Sequence, residues 1–311
     1  MALLIDIGLK GWMADADLRD RVAELLPGSD IRLRETLGDP DDITMLAVSS
    51  LAPDLPPQLR NLKLVQKLGA GVETIVANPA LPDHIRVTRL KPDAPAREIA
   101  EYCLAYILRH QRNMTAHDTA QTNRHWDPIA PREAPKTTVG VLGLGHIGTR
   151  TAQMIKTLDF NVEGWSRTPK TLPDIPCHHG PDALPKLLAR CDYVAAILPS
   201  TQATRGLFDA QMLSQMKPGA MLINAGRGDL IDEPALINAL QNGSLGHAVL
   251  DVVSQEPLPR DNPLWQAPNL TLTPHVSGWH LGDALKDVAE NYRRISSDLP
   301  LLHEVDRKLG Y

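Results

Sequence analysis

A surplus of basic residues, more than a few cysteines and long apolar runs are what this 311-residue sequence lacks, and each lack excludes a class of function. Lys and Arg number 32 against 37 Asp and Glu, a formal net charge of -5, so no positive excess is available to hold nucleic acid or an anionic membrane surface. No apolar stretch reaches the length of a membrane span, and the opening MALLIDIGLKGW meets Asp6 and then Asp15 instead of running on as a signal peptide. A cytoplasmic protein is expected. The three cysteines, Cys103, Cys177 and Cys191, are scattered and form no C-x-x-C, which indicates neither a disulfide framework nor a zinc site. No metal is expected, and Cys103 and Cys191 read as small buried hydrophobes. Internal repeats and low-complexity tracts are absent as well.

What is present is organised around residues 137–148, TTVGVLGLGHIG. Val139, Val141 and Leu142 make the short run of a buried parallel strand, and Gly143, Gly145 and Gly148 follow as G-x-G-x-x-G. The three glycines serve separate ends. Gly143 permits a tight turn, Gly145 lets a pyrophosphate approach closely, and Gly148 lets the helix pack closely on the strand. The helix opens at His146 and Ile147, and its first free N–H groups and dipole aim at phosphate. Alone the pattern is weak. With a strand before it, a helix after it and a second strand at 161–165, it completes the βαβ unit that dinucleotide binding requires.

Along the rest of the chain, short apolar runs at 3–7, 31–33, 43–48, 62–68 and 85–90 alternate with helix-like segments, as in a parallel sheet with helices on its faces. Within that region, Lys67-Leu68-Gly69-Ala70-Gly71-Val72 is either a structural turn or a backbone nest for a carboxylate. Residues 92–95 read as a stiff linker and 96–112 as a long helix. Residues 113–135 show little pattern and are expected to wrap over a partner subunit. From 137 the alternation resumes, with strands at 192–198, 220–224, 247–253 and 270–273, and with a helix at 233–241 capped by Asp232. An amphipathic helix carrying Leu281, Leu285, Val288, Ala289, Tyr292 and Ile295 closes the chain and is expected to return to the first domain. The expected fold is therefore α/β, with two doubly wound parallel-sheet domains: a discontinuous one over 1–98 and 281–311, and a dinucleotide-binding one over 99–280.

Three segments fall where strands of the second sheet end, the edge at which open α/β folds place ligands. They are 224–228 (NAGRG), 251–257 (DVVSQEP) and 273–278 (TPHVSG). Taken singly, Arg227, Glu256 and His275 read as a surface charge, a solvated acid and a structural histidine. Together they supply a fixed cation, a carboxylate and a titratable imidazole, a set suited to carbonyl reduction.

Through LGAGVETI, VGVLGLGHIG, LPSTQATRGLF, INAGRGDLIDE, DVVSQEPLP and TPHVSG, in that order, the chain resembles the D-isomer-specific 2-hydroxyacid dehydrogenase family over nearly its whole length, and within it the glyoxylate/hydroxypyruvate reductases. The resemblance implies a Rossmann domain joined to a flavodoxin-like substrate domain, and a reductase of small 2-oxo acids such as glyoxylate and hydroxypyruvate. It implies that Arg227 holds the substrate carboxylate and polarises the ketone, that His275 is the general acid, and that Glu256 orients and charges the imidazole. It implies too that Ala70, Gly71 and Val72 grip the carboxylate, that Asp251 holds the nicotinamide carboxamide, and that Leu198, Pro199 and Thr204 line the cofactor groove. Where related reductases carry an aromatic residue, this chain has Ser49-Ser50-Leu51, and Trp279 follows His275 as a candidate pocket wall. A dehydrogenase of D-3-phosphoglycerate or a D-lactate-type acid, and a non-catalytic dinucleotide sensor, are the alternatives. A homodimer through the dinucleotide-binding domain is expected.

Cofactor choice is read at the end of the second strand. An enzyme for NAD places Asp or Glu there, about 20 residues past the glycines, to bind the ribose hydroxyls. Here Ser166, Arg167 and Thr168 follow instead, able to donate hydrogen bonds to a 2′-phosphate and to pair with it. Glu163 lies nearby, but strand alternation points it away from the tip. NADP(H) is expected ahead of NAD(H).

Overall fold

The computed structural model describes residues 1–8 and 12–307. Strands β1 (Ala2–Ile5), β2 (Asp30–Leu33), β3 (Ile43–Val48), β4 (Leu64–Lys67), β5 (Arg86–Arg89), β6 (Thr138–Leu142), β7 (Asn161–Ser166), β8 (Cys177–His179), β9 (Tyr193–Ala196), β10 (Met221–Asn224), β11 (His247–Leu250) and β12 (Leu270–Leu272) alternate with helices. The α-helices are α1 (Asp15–Leu25), α2 (Glu73–Val76), α3 (Asp93–Gln111), α4 (Met114–Thr122), α5 (His146–Lys156), α6 (Ala183–Leu188), α7 (Ala210–Ser214), α8 (Glu233–Gln241) and α9 (Leu285–Ser296). The chain divides into two compact units, Met1–Ala94 with His280–Tyr311, and Pro95–Trp279.

The first unit holds a five-stranded sheet in the order β2-β1-β3-β4-β5, every pairing parallel, which is the flavodoxin-like order. Period-two alternation distributes its apolar side chains between two cores. Leu3, Ile5, Met45 and Ala47 pack with Leu18 and Val22 of α1 and with Leu285, Val288, Ala289, Tyr292 and Ile295 of α9. Leu4, Leu46, Val48 and Val65 face the other way, onto Ile75 of α2 and its neighbours.

The second unit holds a seven-stranded parallel sheet in the order β12-β11-β10-β9-β6-β7-β8. The chain winds outward from β6 through β7 to β8, then returns to β9 on the other side. The strand order thus reverses between β6 and β9, and a crevice opens beyond the carboxyl ends of those two strands. Both faces are buried, Leu142, Val194 and Leu222 on one, Val141, Ala195 and Ile223 on the other. Cys103 and Cys191 are fully buried, and burial pushes both thiols up to about 12, whereas Cys177 on β8 is half-buried.

Three elements differ from the reading of the sequence. Helix α3 begins at Asp93, inside the stretch read as a linker. Pro95 is tolerated because N–H groups in a helix's first turn have no intrahelical acceptor. Helix α4 occupies part of the stretch read as unpatterned, and none of its residues is buried, so it has no apolar stripe to read. The edge strand β8, Cys-His-His, is short and only partly buried. Among the described residues no helix is long and apolar enough to cross a membrane.

Candidate active site

At the fingerprint the three glycines differ in what surrounds them. A Cβ on Gly148 would lie 1.7 Å from the Gly143 carbonyl oxygen, and one on Gly143 would lie 2.4 Å from the carbonyl oxygen of Ile197, with φ at +98° besides. Both positions are closed by backbone. Around a Cβ at Gly145 there is no atom within 4 Å. That open notch stands beside the first turn of α5, where the N–H groups of His146, Ile147 and Gly148 precede any intrahelical acceptor. A pyrophosphate fits this cradle by both space and charge.

The turn after β7 is held tightly. The Trp165 indole donates to the Gly180 carbonyl at 2.8 Å, and the Ser166 hydroxyl donates to the Thr168 carbonyl at 2.8 Å. Ser166 is buried and closes the turn with the hydroxyl that the sequence reading offered to a phosphate; Arg167 and Thr168 are exposed. Glu163 is occupied elsewhere, bonded to His178 at 2.7 Å and to the Arg190 guanidinium. Burial would raise its pKa, but those partners outweigh it and hold the carboxyl below the ordinary range. Beyond β9, Leu198 is buried, and the Thr204 hydroxyl donates to the Pro199 carbonyl at 2.6 Å while accepting from the Thr201 N–H at 2.8 Å.

The carboxyl ends of β10, β11 and β12 bring the chemical residues together. Asn224, fully buried, folds the loop after β10: its Oδ1 accepts from Gly226 N at 3.1 Å and its Nδ2 donates to the Arg227 carbonyl at 2.8 Å. Gly228 then lies so close to the next loop that a Cβ would meet the Val253 carbonyl carbon at 1.9 Å. This sets Arg227 near enough for its charge to act on Glu256. Glu256 Oε1 accepts from Val253 N at 3.1 Å, and Oε2 lies 2.8 Å from His275 Nδ1. Burial pushes the Glu256 carboxyl up, yet the hydrogen bond and charge of His275, with Arg227 beyond, bring it below the ordinary value. His275 has φ of +57°, a left-handed backbone uncommon for a residue with a side chain, and its ring is about half exposed.

Asp251 is buried beneath this loop. Its Oδ1 accepts from the Thr273 hydroxyl at 2.6 Å and from Val276 N at 2.9 Å, its Oδ2 accepts from Ser277 N at 2.9 Å, and its carbonyl accepts from His275 N at 2.8 Å. Both carboxylate oxygens thus serve the loop, a use not visible in the sequence. The structural parts of Asn224 and Asp251 went unread; for Asn224 the signal was an Asn followed by Ala-Gly at a strand end, the composition of an Asx turn. Ala70, Gly71 and Val72 belong to the other compact unit, on the turn between β4 and α2, where the Ala70 carbonyl accepts from Arg89 at 3.3 Å. Among the described residues no group of three His, Cys, Asp or Glu is placed to hold a metal ion.

The model of the family described as D-isomer specific 2-hydroxyacid dehydrogenase, NAD binding domain, matches residues 104–277, more than half of the chain. The chain belongs to this family. It is accordingly an NAD(P)-dependent oxidoreductase, and the glycine cradle and the His275–Glu256 pair both lie on the dehydrogenase's matched segment. The dehydrogenase is 35% identical over 256 residues, 80% of this chain and 82% of the relative, to glyoxylate/hydroxypyruvate reductase A of Serratia proteamaculans. Its fold matches a D-isomer specific 2-hydroxyacid dehydrogenase from Xanthobacter autotrophicus Py2, solved in complex with NADPH and MES, with a TM-score of 0.93 and 38% identity over 100% of this chain and 99% of that one. An NADPH-dependent glyoxylate/hydroxypyruvate reductase from Sinorhizobium meliloti, solved with NADP and sulfate, matches with a TM-score of 0.91 and 29% identity over the same shares.

Proposed function

We propose that this dehydrogenase works as an NADPH-preferring reductase of small 2-oxo acids, glyoxylate and hydroxypyruvate among them. The observation that carries the reading is the 2.8 Å contact between His275 Nδ1 and Glu256 Oε2 at the carboxyl edge of the seven-stranded sheet. When bound, NADPH supplies the hydride. The cradle at Gly143, Gly145 and Gly148 holds its pyrophosphate with the N–H groups of His146 and Ile147, Arg167 and Thr168 meet the 2′-phosphate, and Leu198, Pro199 and Thr204 border the groove. With Nδ1 engaged by Glu256, the His275 proton that can leave is on Nε2, and it goes to the oxygen that gains charge as the ketone is reduced. Arg227 pairs with the substrate carboxylate and stabilises the same developing charge. Carrying the glycine cradle, Arg227, Glu256 and His275, Pro95–Trp279 is read as the cofactor unit, and Met1–Ala94 with His280–Tyr311, which carries the Ala70-Gly71-Val72 turn, as the substrate unit.

The test is a panel of 2-oxo acids with NADPH and NADH. Glyoxylate and hydroxypyruvate are expected among the best substrates; turnover of neither with either cofactor, by protein that binds the cofactor normally, would overturn the reading. We also infer a homodimer formed through the cofactor unit, because α4 buries none of its residues and Trp126 is 99% exposed. Light scattering should report two copies in wild type and one in Trp126→Asp, and a monomeric wild type refutes it. Three cysteines without a disulfide suit the reducing cytoplasm, where we place the protein; recovery from a membrane or secreted fraction contradicts this.

A further inference from the structure

The loop that carries His275 rests on a helix face that has no part in the chemistry above. Pro95, Glu98, Ile99 and Tyr102 of α3 stand at spacings of three, four and seven residues, so they form one stripe. Gly278 fits against that stripe so closely that a Cβ would lie 3.1 Å from Ile99 and 3.2 Å from Pro95. Trp279 N donates to Glu98 Oε2 at 2.6 Å, and the Tyr102 hydroxyl lies 2.7 Å from Thr273 Oγ1. A threonine hydroxyl has one proton, and Thr273 gives its own to Asp251 Oδ1. The direction is thereby fixed: Tyr102 donates to Thr273, and Thr273 donates to the carboxylate.

We propose that Tyr102 and Thr273 are positioning residues for the proton transfer, joined in a directed hydrogen-bond chain that fixes Asp251 and, through it, the left-handed backbone that aims the His275 imidazole. The proposal rests on the reading of His275 as proton donor. Packing alone does not call for these two hydroxyls, since Phe and Val have nearly the same shapes. What the hydroxyls add is a charge-assisted bond to a carboxylate that is 1% exposed and itself accepts from Val276 N and Ser277 N, on a residue whose main-chain carbonyl accepts from His275 N. Burial pushes the Tyr102 phenol pKa up, so it remains a donor throughout the working pH range. Tilting the imidazole by a fraction of an ångström is enough to slow transfer, because misplacement of about 1 Å costs on the order of a hundredfold.

The test uses Thr273→Val, Thr273→Ser and Tyr102→Phe, each alone and combined with His275→Ala, with the holoenzyme reducing glyoxylate. Thr273→Val should lower kcat roughly ten- to a hundredfold with the NADPH KM nearly unchanged, and should raise the solvent isotope effect on kcat. Thr273→Ser, which keeps the hydroxyl, should restore most of the rate, and Tyr102→Phe should cost a few fold. In the His275→Ala background none of the three should slow turnover further, since a positioning residue acts only through the group it positions. If Thr273→Val fails to fold, Tyr102→Phe, which removes one oxygen, decides alone. A wild-type kcat in these variants beside a crippled His275→Ala overturns this proposal and leaves the proton-donor reading intact. Equal losses with and without His275 overturn it too. Near-normal turnover in His275→Ala overturns both.

Discussion

Gly145 and Gly148 stand three residues apart in one motif, and the structure predicts opposite failures when each is changed to alanine. At Gly148 the new methyl would lie 1.7 Å from the Gly143 carbonyl oxygen and 2.9 Å from its carbonyl carbon. Ordinary contact needs more than about 3 Å, so strand turn and helix must part by about 1.5 Å. Gly143 has little freedom to shift, because its N–H donates to the Trp165 carbonyl at 2.8 Å and the Ile197 carbonyl oxygen fills the place where its side chain would be. Overpacking costs about 1–3 kcal/mol, and two rigid backbones place this case at the upper end. Alanine's helix preference over glycine offsets about 1 kcal/mol, leaving ~2 kcal/mol. For a unit of this size that lowers the melting midpoint by about 4–8 °C. At Gly145 the methyl meets nothing within 4 Å, and φ of -83° suits any residue, so the midpoint without nucleotide should stay within about 1–2 °C of wild type. That methyl occupies the space where a pyrophosphate approaches, and NADPH affinity should fall at least about tenfold. Thermal melts without nucleotide and titration of NADPH fluorescence measure the two effects. A Gly148→Ala protein that melts with wild type, or a Gly145→Ala protein that binds NADPH as tightly as wild type, would refute the assignment of packing to one glycine and ligand to the other.

His275→Ala should lower kcat about a hundredfold or more with NADPH affinity nearly unchanged, and Arg227→Lys should also be damaging because an ammonium cannot match a carboxylate at two points; steady-state kinetics with glyoxylate check both. Arg167→Ala should reduce kcat/KM for NADPH while leaving that for NADH nearly constant, and an equal loss for the two cofactors would remove Arg167 from 2′-phosphate reading. Burial holds His110 and His247 below the ordinary histidine value, their rings 6.2 Å apart. The unfolded chain therefore takes up protons first, so their contribution to stability is full above pH of about 6.5 and is lost as pH falls through that value toward the lowered folded ones. The midpoint should drop between about pH 7 and 5, less steeply in His247→Gln, and identical slopes would contradict this.

The parts of the fold that were legible had a repeating signal behind them. Buried strands such as β6 and β10 are mostly apolar runs, and α9 carries five apolar residues, Leu285, Val288, Ala289, Tyr292 and Ile295, in register for one face, so period and composition agree, although Leu281, read as part of that helix, lies before its start. Helix α4 has no buried residue and β8 is a partly buried edge strand, so neither leaves such a signal. At the site, residue types and strand-end positions marked Arg227, Glu256 and His275. The direct contact of Glu256 with His275 across 19 residues, the positive φ of His275 and the burial of Asp251 come from tertiary packing, which spacing does not encode. Ser166 illustrates the opposite case: its type suited a phosphate ligand, but the hydroxyl bonds its own turn.

The unequal burial of the cysteines makes the native chain a ready substrate for site-selective labelling. Maleimides react with thiolates, and at neutral pH the two thiols raised to about 12 by burial, Cys103 and Cys191, should stay inert. Cys177 is half-buried and lies on β8, two residues before His179, which pairs with Ser166 at the tip of β7. A fluorophore placed there sits one strand from the turn proposed to meet the 2′-phosphate, so its emission should respond to NADPH and much less to NADH. Intact mass after brief labelling should show a single adduct, carried by the Cys177 peptide.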